Sequence, residues 1–330
     1  MLSTNIPKFA FLLYFFHRLC CTSTVQRTFS GTESARYTGV EVSDFVTGER
    51  VLALCDMAFF RRDYVEAFPT LKKQTHRLVF VGTRVDEQLQ HHIDESSIFF
   101  TKLDTVEYFI TEILPVISRE FVLVTHISDF TSGLNKEVLK NPNLIRWYGC
   151  NMTPHPKVRA IPLGLENAEM WGRTDFLQIK QARLNAKVKN LYVYFNVDTN
   201  VPVREKALRS LQNNGFKNNV RTTWPRYIDD LSRHKFCASP EGNGIDTHRM
   251  WECLYLEVVP VVVKVPELYH WYSELPILWV SSFDEVTEAF LEGVDRGSLL
   301  EKFANVGRLA TMDGIYEEII SDFGQATPHG

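Results

Sequence analysis

The chain has 330 residues, 45% of them hydrophobic and 23% charged, and its 36 basic and 40 acidic residues leave a formal charge of −4. That balance excludes wholesale disorder, and it excludes a protein whose main task is to neutralise nucleic-acid phosphate. The 17 glycines and 14 prolines exclude a collagen-like or low-complexity chain, and the 6 cysteines contain no Cys-x-x-Cys pair and form neither a zinc framework nor a disulfide scaffold.

At about 150 residues per domain the length suggests roughly two domains. Residues 1–48 read as a leader and stem. Lys8 precedes an apolar run over 9–16 that His17 and Arg18 close. The run is shorter than the roughly 20 residues of a membrane span and suits the core of a secretory signal. Entry to the secretory pathway and the Golgi is therefore an expectation, with a cytoplasmic location as the alternative. From 49 onward short apolar strands alternate with helices. Strands are predicted at 50–57, 77–82, 97–103, 121–125 and 158–163, and helices at 58–72, 84–94, 104–118 (capped by Asp104) and 134–140; 144–149 is a further apolar stretch. A polar, basic segment over 171–189 reads as a linker. The alternation then resumes, with strands at 191–197, 235–239, 258–263 and 277–280, and helices at 203–213, 227–234, 247–257, 283–292 and 311–322. Two such βα runs imply an α/β protein with two doubly wound, Rossmann-like domains, 49–170 and 190–330, facing each other across a cleft at the carboxyl ends of their strands.

The densest chemical signal runs from Lys235 to Val263. A strand ends at Ser239-Pro240. Gly242 and Gly244 let the backbone turn tightly and approach a ligand. Asp246 is a suitable N-cap for the next helix, whose free N–H groups attract anions. Arg249 in its first turn adds a permanent charge and a fork that fits phosphate. Glu252 lies three residues on, and His248 shares the same face. The set suits a nucleotide diphosphate, with Glu252 accepting from sugar hydroxyls; the competing reading pairs Arg249 with Glu252 in a structural loop. The sequence has neither a complete Gly-x-Gly-x-x-Gly nor a Walker A loop here.

The run from Ser239 to Glu252, followed by Leu254-Tyr-Leu-Glu-Val-Val-Pro-Val261, resembles the donor-site segment of exostosin-like glycosyltransferases. One departure is Glu257, where many members carry Gly. A second block supports the resemblance: Thr125-His126-Ile-Ser128-Asp129, Pro142-Asn143, Arg146-Trp147, Asn151, His155-Pro156-Lys157 and Ile161-Pro162-Leu-Gly164. With Asn196-Val-Asp-Thr-Asn200 the likeness covers about 120–290. It implies a GT-B-type, inverting glycosyltransferase that needs no metal and no other cofactor. The second half would bind a nucleotide-diphosphate sugar, a UDP-sugar foremost, and the first half a glycan acceptor. No nucleic-acid partner is implied, and membrane association would run only through the leader.

In such a transfer the expected donor-site residues are Ser239, Gly242, Asn243, Gly244, Asp246, His248, Arg249, Glu252 and Asn196. Arg204 and Lys235 are weaker helpers and more ordinary surface charges. The base is expected from Asp129, then His126, then Glu241, because the first two end a strand of the first half. Asp129 reads equally as a turn residue, and Asn196 as a turn former. Asp229-Asp230 reads as a solvated helix face, and Asn151-Met-Thr153 is a glycosylation sequon. The competing functions are an inactive carbohydrate- or nucleotide-binding relative of the same fold, or a different enzyme class on a doubly wound sheet.

Overall fold

The computed structural model describes residues 45–129, 134–168 and 174–325. The expected apolar run over 9–16 lies outside them. Among the described residues no helix is long and apolar enough to cross a membrane.

Two parallel sheets organise the chain. The first contains β1 (Met57–Phe60), β2 (Leu78–Phe80), β3 (Ile98–Thr101), β4 (Phe121–Thr125), β5 (Leu144–Gly149) and β6 (Val158–Ala160), in the order β2-β1-β3-β4-β5-β6. Every pairing is parallel. The order reverses direction at β1, as in a doubly wound sheet. The central strands β1, β3 and β4 are buried at every residue, since both faces are covered, and the edge strands β2 and β6 are partly buried. The second sheet contains β7 (Lys189–Tyr192), β8 (His234–Ala238), β9 (Val259–Val263) and β10 (Leu278–Val280), again all parallel. Its core gathers Phe195, Leu211, Phe236, Val259, Val261 and Phe283. The expected α/β architecture with two parallel, helix-covered sheets is the fold observed.

Several local expectations need correction. The apolar run over 50–57 is not one strand. It forms helix α1 (Gly48–Ala53), with the Thr47 side chain accepting from the Arg50 N–H, and β1 follows. A short apolar run does not separate buried helix from buried strand by periodicity. Residues 45–48, expected in the leader, belong to the fold: Val46 is fully buried, donates its N–H to the Tyr255 hydroxyl at 3.1 Å, and accepts from Leu165 N–H at 2.8 Å. The expected linker holds helix α2 (Phe176–Arg183), capped by Asp175, with Phe176, Ile179 and Ala182 buried. Asp104 does not cap a helix; its carboxylate lies 3.5 Å from Lys102 Nζ.

The second half continues with helices α3 (Val201–Asn213), α4 (Trp224–Leu231) and α5 (His248–Tyr255). The last helix, α6 (Met312–Gln325), returns to the first sheet. Asp322 takes Arg146 on both oxygens, at 2.9 and 3.0 Å, and the Tyr148 hydroxyl at 2.7 Å. Burial pushes the Asp322 carboxyl up, but Arg146 and Tyr148 outweigh it and hold the group below the ordinary carboxylate value.

Helix α5 ends on Glu257, which has a φ of 57°. Its N–H bonds Leu254 O and the next N–H, from Val258, bonds Cys253 O. This is the Schellman ending, whose left-handed position ordinarily belongs to glycine. Arg183 of α2 compensates, bonding Glu257 Oε1 through Nε at 2.8 Å and Nη2 at 2.5 Å. The departure at Glu257 thus has a structural partner in α2.

Candidate anion site at the glycine loop

The loop after β8 begins as an extension of the ladder, with Ser239 N–H on Val261 O at 3.0 Å. It then turns on itself, Gly242 N–H bonding Gly244 O at 3.0 Å. The start of α3 holds it from outside the sheet. Asn200 Nδ2 donates to Gly242 O at 2.8 Å, and Arg204 Nε donates to Glu241 O at 2.7 Å. Arg204 Nη1 also donates to Asn196 O at 2.7 Å. Gly242 leaves room for this guanidinium, because a Cβ there would lie 3.0 Å from Arg204 Nη2.

Arg249 enters from the first turn of α5. Its guanidinium carbon sits 5.2 Å from the centre of the Tyr227 ring, and its Nη1 is buried with no hydrogen-bond partner. Glu252 does not pair with it; Glu252 Oε2 accepts from the Tyr227 hydroxyl at 2.5 Å. The structural alternative of an Arg249–Glu252 pair is therefore not what forms. Burial works against the Arg249 charge, yet Tyr227, Cys237 and Glu252 around it hold the guanidinium above its ordinary value. Burial and the positive charge of Arg249 together push Arg204 down to about 10. Neither arginine has an ion-pair partner among the described residues. Two partly desolvated guanidiniums beside a glycine loop, one with an unused donor, make a candidate site for a polyanion. Glu241, half-buried in the same loop, is raised by burial above the ordinary carboxylate value.

Other expected donor ligands are committed elsewhere. Asp246 is not the cap of α5; Thr247 is, its Oγ1 accepting from Met250 N–H at 3.4 Å. The buried Asp246 carboxylate instead accepts from Leu163 N–H at 2.9 Å and from the Trp251 indole at 2.6 Å, while its own N–H donates to Asn151 Oδ1 at 2.8 Å. Burial pushes its carboxyl up to about 7. His248 Nδ1 lies 2.8 Å from Gly164 O. Asp246 and His248 therefore fasten the glycine loop to the first half. Ser239 is buried, with Oγ directed to Cys237 O at 3.5 Å. The Asn196 side chain accepts from Asp198 N–H at 3.4 Å in a local turn, and only its carbonyl touches Arg204.

The first half reaches the same loop. Asn243 Nδ2 donates to Asp129 Oδ2 at 3.0 Å, and a Cβ at Gly244 would lie 2.6 Å from Asp129 O. Asp129 is exposed. His126 is not: at 1% exposure its Nε2 faces Pro162 O at 2.9 Å, its Nδ1 is buried without a partner, and burial pushes the ring down to about 4. The ring is enclosed by protein, so the structure does not present it as a base. Asn151 is 4% exposed with φ 55°, so the sequon is closed in the folded chain. Asp229 pairs with Arg233 and Asp230 with Lys189, as a solvated face would.

The structure brings Arg204, expected only as a weaker helper, to the glycine loop, and sets Tyr227, which the sequence did not single out, against Arg249 and Glu252. A half-buried arginine near a helix start has no sequence mark that separates it from a surface charge. Tyr227 is recognisable only once α4 lies over α5.

No family model and no curated protein matches this sequence. Among solved structures, an alpha1,3-fucosyltransferase is similar at 11% identity and a TM-score of 0.42, over 82% of this chain and 88% of its own. An alpha-glucosyltransferase in complex with UDP and a 13-mer DNA containing a HMU base is similar at 10% and 0.37, over 81% and 98%. The pneumococcal O-GlcNAc transferase GtfA, in complex with UDP and GlcNAc, is similar at 12% and 0.29, over 68% and 53%.

Proposed function

We propose that the chain is an inverting, exostosin-like glycosyltransferase that moves a sugar from a nucleotide diphosphate, a UDP-sugar foremost, to a hydroxyl of a glycan. The observation that carries this reading is the pair Arg204 and Arg249, with the buried Arg249 Nη1 lacking a hydrogen-bond partner and neither guanidinium in a salt bridge among the described residues. A diphosphate supplies acceptors for the unused donor and negative charge between the two groups. Its oxygens would take the free guanidinium donors and the Gly242–Gly244 backbone, and Glu252 would accept from a sugar or ribose hydroxyl.

In the transfer the acceptor oxygen attacks the anomeric carbon as the bond to the diphosphate breaks. Asp129 takes the hydroxyl proton, and the two arginines stabilise the charge that develops on the leaving group. On this reading neither a metal nor another cofactor takes part, because the guanidiniums carry the electrostatic load. The acceptor would lie on the first half, beside Asp129. Secretory entry through the 9–16 run, ending in the Golgi, is part of the same proposal.

The test is release of nucleoside diphosphate from a panel of UDP- and GDP-sugars in the presence of mixed oligosaccharides. Release from one or more donors is expected, with loss in a folded Arg249→Met variant. If no donor turns over and neither UDP nor GDP raises the melting temperature, the reading fails; a ligand at about 100 times its Kd should add about 2.7 kcal/mol.

A further inference from the structure

We infer that Asn243 is a positioning residue, whose amide ties the Asp129 carboxylate to the glycine loop and so couples loading of the diphosphate grip to the orientation of the base. The inference rests on the proposed reading of Asp129 as base and of the loop as the diphosphate site.

Four observations carry it. Asn243 and Asp129 are 114 residues apart in sequence and meet side chain to side chain at 3.0 Å. The glycines on either side of Asn243 face opposite halves of the molecule. A Cβ at Gly242 would press on Arg204 Nη2, whereas one at Gly244 would strike Asp129 O at 2.6 Å and Asn151 Nδ2 at 2.7 Å. One residue therefore separates the guanidinium side of the loop from the base side. Third, the chain around Asp129 is held in an uncommon shape. Ile127 has a φ of 55°, costly for a β-branched residue, and Asn151 on the neighbouring strand end has the same value. That shape presents Asp129 to the loop. Fourth, Asn243 is exposed, so its amide needs no partner to satisfy burial. An exposed asparagine with no other task would still find water on all its polar atoms.

The chemistry explains the choice of an amide. An amide N–H fixes one carboxylate oxygen by a hydrogen bond, leaving the other to accept a proton. Lys102, Tyr64 and Cys150 of its own half each interact electrostatically with Asp129. Lys102 itself is anchored by Asp104 and lies over the Tyr64 ring at 3.7 Å. Asn243 is thus the link from the base to the second half, and a displacement of the loop by a bound diphosphate reaches Asp129 through it.

The test reads Asp129 directly, without an acceptor. Full-length protein is labelled with 13C at the aspartate carboxyls, and the Asp129 signal is assigned by its loss in Asp129→Asn. The chemical shift of that signal is followed at one pH in the wild type and Asn243→Ala, each alone and with saturating UDP. Loss of the amide should move the signal in the free protein, and UDP should move it in the wild type and leave it in place in Asn243→Ala. An Asp129 signal that is the same in both free proteins, or that answers UDP alike in both, overturns the inference. Turnover of a UDP-sugar by the same variants separates the two layers. If Asp129→Asn abolishes turnover while the Asp129 signal is indifferent to Asn243, the base stands and the positioning role falls. If Asp129→Asn turns over normally, the base reading falls and the inference with it.

Discussion

Two carboxylates of helix α6 reach the first sheet, Glu318 to Arg159 at 3.4 Å and Asp322 to Arg146 and Tyr148, and removing Asp322 gives a measurable result. Asp322 binds Arg146 through two oxygens and Tyr148 through one, with side-chain exposures of 11% for the aspartate and 19% for the arginine. Asp322→Ala removes three charge-assisted hydrogen bonds, two from Arg146 and one from Tyr148, and strands a mostly buried guanidinium. Breaking a fully buried pair costs about 3–5 kcal/mol; with some solvent reaching the fork, a loss of about 2–4 kcal/mol is expected. At about 2–4 °C per kcal/mol, the melting temperature should fall by roughly 4–16 °C. The sign with pH follows from the depressed Asp322 carboxyl. Its contribution is fully present above the unfolded value of about 3.9 and disappears as pH falls through the lower folded value. Urea unfolding of wild type, Asp322→Ala, Arg146→Met and the double variant gives the coupling energy. A coupling below about 0.5 kcal/mol, or a difference that persists unchanged down to pH 3, would refute the reasoning.

Glu257→Gly should stabilise the protein by about 0.5–1 kcal/mol in urea unfolding, since relief of the left-handed backbone outweighs a surface ion pair; a loss of stability would contradict the strain. Asp246→Asn turns an N–H toward a donor, either Leu163 N–H or the Trp251 indole, and should cost about 1–3 kcal/mol. Asp246 also has a raised folded value near 7, so in the wild type its contribution is full below about pH 4 and is lost as pH rises through 7; that component should vanish from the stability profile of the asparagine variant. His126 has the opposite sign. Its folded value is lowered to about 4, so its contribution is present above about 6.5 and is lost as pH falls toward 4. His126→Gln should flatten that acid limb, and a limb unchanged in chemical unfolding would count against a buried neutral ring.

The alternation of strand and helix was legible because parallel strands covered on both faces must be continuously apolar, as in Phe121–Thr125 and Val259–Val263. The run RVLALC was not, since a buried helix and a buried strand share that composition and only the Thr47 cap separates them. The glycine loop and Arg249 were readable from residue type and spacing. The roles of Asp246 and His248 were not. Both lie in a stretch that reads as a ligand site, yet Asp246 is taken by Leu163 and by Trp251 five residues on, and His248 by Gly164; no local pattern encodes the contacts to Leu163 and Gly164 some 80 residues away. Arg204 was hidden for the same reason, because its position depends on how α3 leans over the loop after β8. Asp129 was reachable from the rule that strand ends carry ligand groups, but its meeting with Asn243 needed the tertiary structure.

Calorimetric titration of UDP into wild type, Arg204→Met, Arg249→Met and the double variant tests the diphosphate grip most directly. Each single loss of a charge-assisted contact should cost about 1.5–3 kcal/mol, raising Kd by roughly 10- to 150-fold, and wild-type binding should weaken as salt is added. UDP binding to Arg249→Met with wild-type affinity, in a variant that remains folded, would contradict it.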